Sequence, residues 1–142
     1  MSNIPGKNPP GVYECFIDGS CAQNPGGRMG QGVVIRKDEL LAKYYDKQEP
    51  NSGNSNNVSE YLALLLLLSK IKDRKNKVFR IYTDSMLVAS QISGEWQIGD
   101  GLYREYAFKA MSEYLKLCEN NDVKIYWIRK ELNTEAIHLS NH

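Results

Sequence analysis

The chain is poor in cysteine and histidine, with three of the first and two of the second among 142 residues. Cys15, Cys21 and Cys118 cannot all pair, and their spacing fits no zinc motif. A disulfide scaffold and a zinc module are therefore excluded, and a reducing, cytoplasmic location is expected. Long apolar runs are missing too. The longest, Leu62 to Leu68, falls far short of the ~20 residues that span a bilayer. The opening MSNIPGKNPPG lacks the apolar core of a secretory signal, so no membrane partner is expected. An excess of one charge is also absent: 18 Lys+Arg face 17 Asp+Glu. Any nucleic-acid binding must come from a local patch, not from a global field. What is present is an ordinary globular composition, 42% hydrophobic and 25% charged, long enough for one domain with its own core.

Residues 1–11 hold three of the five prolines and are expected as a flexible tail before a single domain over 12–142. Val12 to Asp18 is dense in β-branched and aromatic residues and predicts a strand ending on a carboxylate. After the turn Asn24-Pro25-Gly26-Gly27, GVVIRK (32–37) and ELLAKYY (39–45) predict two more strands of an antiparallel meander. VSEYLALLLLLSKIK (58–72) has strong helix formers and no Pro or Gly. Its apolar residues run all round the middle, so it should be buried on most sides. Lys70 to Lys77 forms a basic turn. VFRIYT (78–83) is a fourth strand, Asp84-Ser85 can cap a short helix to about Ile92, and Leu102 to Cys118 is a longer amphipathic helix. VKIYWI (123–128) is the fifth strand, and Thr134 opens a last helix.

Three carboxylates stand at informative places. Asp18 closes the first strand, Asp84 follows the fourth, and Glu60 lies in the first turn of the buried helix. If strands one and four are neighbours, Asp18 and Asp84 emerge side by side and the helix can bring Glu60 across them. Three converging carboxylates repel one another unless divalent cations neutralise them. An oxygen-only set suits Mg²⁺ or Mn²⁺, and two such ions form the clamp used for displacement at phosphorus. Each acid also has a plain alternative: Asp18 as a turn cap, Asp84-Ser85 as a helix N-cap, Glu60 as part of a capping box with Asn57.

Four blocks, FIDGSCAQNPG, SNNVSEYLALLLLL, IYTDSMLVASQISGEW and WIRKELNTEA, occur in the order found in one family. Through them the sequence resembles the type 1 ribonuclease H family from about Val12 to the C-terminus. The resemblance implies a ribonuclease H-like α/β fold, with a five-stranded mixed sheet (three antiparallel strands, then two parallel) flanked by helices. It implies an endonuclease that hydrolyses the RNA strand of RNA–DNA hybrids. Two ions, Mg²⁺ or Mn²⁺, would act in the substrate complex, leaving 5′-phosphate and 3′-hydroxyl ends. Asp18, Glu60 and Asp84 fall on the family's metal ligands, with Asp18 bridging the pair. Gly19, Ser20, Cys21, Asn24, Asn56, Asn57 and Met86 fall near the groove that carries 2′-hydroxyls, and Ser85 and Trp96 face the DNA strand. Asn24 has a plain reading as a turn residue, and Trp96 one as core. A monomer is expected.

The chain departs from the family in one ligand. The fourth carboxylate should follow Asn133-x-x-Ala136, and that position is Ile137, which cannot ligate a metal. His138 lies about 100° round the helix and Asn141 one turn on, so either could substitute, or both could be merely exposed. The basic protrusion after the tryptophan helix and the histidine loop before the last helix are absent, as in a compact, archaeal-like branch. No added hybrid-binding module is expected ahead of residue 12. These losses leave open a second reading, a weakened or inactive ribonuclease H-like module that only binds nucleic acid.

Overall fold

The computed structural model describes residues 3–142. Five strands form one sheet: β1 (Tyr13–Cys21), β2 (Met29–Lys37), β3 (Glu39–Gln48), β4 (Val78–Thr83) and β5 (Asp122–Trp127). Their spatial order is β3-β2-β1-β4-β5. The first three pair antiparallel, while β1–β4 and β4–β5 are parallel, as expected. The helices are α1 (Asn56–Ile71), α2 (Met86–Ile92), α3 (Arg104–Cys118) and α4 (Thr134–Ser140), with a 3-10 turn over Lys130–Leu132.

Alternation along the strands divides the apolar residues between two faces. Tyr13, Cys15, Ile17, Val33, Ile35, Phe79 and Ile81 pack under α1 and α3 in the larger core. Phe16, Val34 and Tyr82 point the other way and meet Ile128 and Ala136 of the smaller one. The apolar belt of α1 is used as its pattern predicts. Leu64, Leu67 and Leu68 are fully buried, and Leu62, Leu65 and Leu66 are partly so against the same cluster.

The first strand does not end on its carboxylate. The β1–β2 ladder continues past Asp18↔Gly32 to Cys21↔Met29. Glycine is a poor strand former, which hides this stretch from a propensity reading. Here glycine is required by close approach. A Cβ on Gly19 would lie 2.2 Å from the backbone of Ser59 in α1, and one on Gly30 would lie 1.9 Å from the Ser140 carbonyl in α4. Gly32 is equally tight against Ala136. Two helices thus press onto opposite faces of the same end of the β1–β2 ladder.

Of the eleven residues expected as a tail, the described part lies over the sheet. The Asn8 amide donates to Glu14 (2.8 Å) and to the Tyr82 hydroxyl (2.7 Å), and the Gly6 N–H also reaches Glu14.

Candidate active site

Parallel pairing stops at Ile17↔Thr83, where β4 ends, while β1 runs on. Beyond that point the β1 backbone has lost its neighbour on the β4 side, and its polar groups need other partners. Two side chains supply them. Glu60 accepts the Gly19 N–H at 2.5 Å, and the Asn133 amide donates to the Ile17 carbonyl at 2.9 Å. The same Asn133 amide also donates to Asp84 at 3.2 Å. A gap at the strand end is therefore what gathers the functional side chains.

Asp18, Glu60 and Asp84 converge there. Each offers an oxygen, and the three oxygens lie within 4.8 Å of one another. The capping alternatives can now be judged. The α1 N-cap is Ser55, which accepts from the Val58 N–H, so Glu60 closes no box with Asn57. Ser85 is the α2 N-cap, accepting from Val88, and that leaves Asp84 free for the cluster. Asp18 sits within a ladder, not in a turn.

The electrostatics are those of an overcrowded acid site. Burial, then the charge of Asp84, pushes the Asp18 carboxyl up to about 7, while hydrogen bonding from Ser140 pulls it down. Burial, with Asp18 and Asp84 beside it, also raises Glu60 well above the ordinary carboxylate range. Lys130 lowers both. The donor set is all carboxylate oxygen, and no histidine or cysteine joins it among the described residues. Uncompensated negative charge on hard oxygen ligands fits a divalent cation of the Mg²⁺ type.

An open cleft of about 460 Å³ surrounds the acids. It is lined by seven of the nine residues expected at the substrate groove, namely Gly19, Ser20, Cys21, Asn56, Asn57, Ser85 and Met86. Asn24 and Trp96 are not part of its lining. Asn24 accepts from the Asn56 N–H at 3.0 Å, tying the β1–β2 turn to the start of α1, as its plain reading held. Trp96 is 49% exposed, which removes the reading of it as core. Ile137 and Asn141 both line the cleft, whereas His138 is exposed outside it. An apolar residue thus forms part of the cleft wall, and Asn141 lines it one turn further along α4.

Three contributors were not singled out from sequence. Ser140, 3% exposed, donates to Asp18 at 2.5 Å. Its carbonyl in turn accepts from Ser20 at 2.8 Å. Asn133 stands in the quoted WIRKELNTEA block, which was the available signal for it. Lys130, in the same block, lines the cleft beside the acids.

A mixed sheet in this order, helices on both faces and a carboxylate cluster where β4 ends define a class: an α/β domain with a candidate acid-held metal site at the strand ends. Comparison with known proteins narrows it. The family model for RNase H matches residues 10–133, so the chain belongs to the RNase H family, a family of ribonuclease H enzymes. A ribonuclease H of Campylobacter jejuni is 26% identical over 120 residues, spanning 82% of this chain and 77% of that protein. RNase H1 of the halophilic archaeon Halobacterium salinarum superposes with a TM-score of 0.77 at 25% identity, covering 92% of this chain and 96% of its own. LC11-RNase H1, solved in complex with an RNA/DNA hybrid, superposes with a TM-score of 0.77 at 22% identity, covering 91% and 94% of the two chains. The family generally uses a divalent metal, and the acidic triad is compatible with one.

Proposed function

We propose that the chain, acting as a cytoplasmic monomer, is an endonuclease that hydrolyses the RNA strand of RNA–DNA hybrids, leaving 5′-phosphate and 3′-hydroxyl ends. The observation that carries this reading is the convergence of Asp18, Glu60 and Asp84 within 4.8 Å in an RNase H fold. Those three residues would hold Mg²⁺ or Mn²⁺, two ions in the substrate complex. When bound, the ions supply an activated water and charge stabilisation for the leaving 3′-oxygen. The protein's own part is positional. The Gly19 N–H orients Glu60, the Ser140 hydroxyl orients Asp18, and the Asn133 amide orients Asp84. Small side chains at Gly19, Ser20 and Cys21 and the amides of Asn56 and Asn57 line the cleft where a strand carrying 2′-hydroxyls would lie.

The test is an end-labelled hybrid incubated with Mg²⁺ or Mn²⁺, with EDTA as control. Metal-dependent shortening of the RNA strand alone is expected. Ile137 favours the second reading, a binding module with failed chemistry. Retained hybrid binding without cleavage in either metal would establish that reading instead.

A further inference from the structure

A second, smaller hollow adjoins the acid cleft and shares Ser20 and Asn141 with it. Strand register builds it. Ser20, Gly30 and Lys47 stand opposite one another on β1, β2 and β3, so they form one row and share a face of the sheet. From that row the Ser20 hydroxyl reaches the Ser140 carbonyl, so the face is the one that α4 covers. The next row holds Ala22 and Arg28, joined by the Ala22 N–H to the Arg28 carbonyl at 2.8 Å. Gly30 has no room for a side chain, and Ala22 is short. What is left between these rows and the end of α4 is a space of about 50 Å³, lined by the Arg28 and Lys47 side chains. That is a few waters' worth, suited to a small polar group and not to a base.

Its charge is the reverse of its neighbour's. The cleft carries Asp18, Glu60 and Asp84, whereas no acid lines the hollow. Arg28 and Lys47 form no ion pair among the described residues, and Glu49, two residues past Lys47, pairs with neither. Two uncommitted cations around a small polar space select an anion, and a phosphate can accept from both at once. The hollow lies toward β2 and β3, on the Ser20 side of the cleft, beside the place of the strand carrying 2′-hydroxyls. We propose that Arg28 and Lys47 form a second anion site, which holds a backbone phosphate of the RNA strand away from the scissile bond. This inference rests on the reading of the cleft as a hybrid-binding site. Gripping the strand at a phosphate that is not cut fixes its register over the acids.

Hybrid binding is measured in EDTA, where no metal-dependent cleavage occurs. The double variant Arg28→Gln/Lys47→Gln should bind about three- to tenfold more weakly than wild type at ~50 mM salt, with a log–log salt slope lower by about one. The charge-keeping variant Arg28→Lys/Lys47→Arg should bind within about twofold of wild type, and the thermal midpoint should match in all three. A single neutral methylphosphonate linkage is then walked along each strand. At one RNA position off the scissile bond it should cost wild type a similar factor and cost the double glutamine variant nothing, because the two losses are one contact. Unchanged affinity, a matching position on the DNA strand, or equal sensitivity of the two proteins at every position overturns the proposal. So does a lowered midpoint with an unchanged salt slope, which would mean that the two cations only offset the C-terminal end of α4. Wild type that binds no hybrid sinks this site and the functional reading together. Wild type that shows the coupling yet cuts in neither metal sinks the cleavage reading alone.

Discussion

The two sides of the acid cluster are built unequally. On one side α1, a 16-residue helix capped by Ser55 and buried on most faces, delivers a carboxyl group, Glu60. On the other side α4 has seven residues and no side-chain cap, and it presents Ile137 with Asn141. Both helices seat on glycines of the same ladder, Gly19 for α1 and Gly30 and Gly32 for α4. The comparison teaches that close seating alone does not make a ligand side. The long helix can hold a buried carboxylate because the core anchors it. The short one contributes a hydroxyl to Asp18, through Ser140.

The largest expected effect tests whether the cluster is catalytic at all. Asp18→Asn should reduce hybrid cleavage to background while leaving the thermal midpoint equal or higher, because it relieves repulsion among the acids. A variant that cuts at the wild-type rate would remove Asp18 from the site.

The seating of the helices comes next. Gly19→Ala forces a methyl into the α1 backbone and should cost at least about 3 kcal/mol in denaturant unfolding. Gly30→Ala meets the end of a short helix that can shift, and should cost about 1 kcal/mol. The second substitution should still weaken Mn²⁺ binding, since the displaced residue is Ser140. Equal stability losses would break the comparison.

Adding the missing charge would make the two sides alike. Ile137→Asp should raise the Mg²⁺-supported cleavage rate severalfold and narrow the advantage of Mn²⁺, which binds oxygen and nitrogen sites more tightly. No gain would mean that α4 does not bring this position within reach of the ions.

The smallest effect is on stability in EDTA. Burial lifts Asp18 from its ordinary 3.8 to about 7, so between those values the folded chain holds a proton that the unfolded chain has released. Its contribution is therefore complete below about pH 4 and is lost as pH rises through about 7. Stability should therefore fall between about pH 5 and pH 7 by on the order of a few kcal/mol at most, seen as a falling thermal midpoint that levels off at higher pH. This window lies above the range of Asp122 and Glu135, which Arg80 and Arg36 hold below the ordinary carboxylate range. Mn²⁺ or Asp18→Asn should flatten the slope.

Element types and their order were legible because the signals are local. β-branched runs mark the strands, and the apolar belt of Leu62 to Leu68 marks a buried helix whatever it packs against. Asp18, Glu60 and Asp84 were legible as a converging set through the blocks around them. Those are properties of residue type and neighbouring sequence. The extent of β1 past Asp18 was not legible, since Gly19 looks like the end of a strand until α1 is seen resting on it. Ser140, Lys130 and the double role of Asn133 were hidden for a related reason. Their meaning lies in what they reach across more than a hundred residues or through space: Ser140 to Asp18, and Asn133 to Ile17. Local pattern determined which residues could form strands, helices and ligands. Only the packing of two helices onto the end of one ladder decided which backbone groups were left unpaired, and hence which side chains had to gather there.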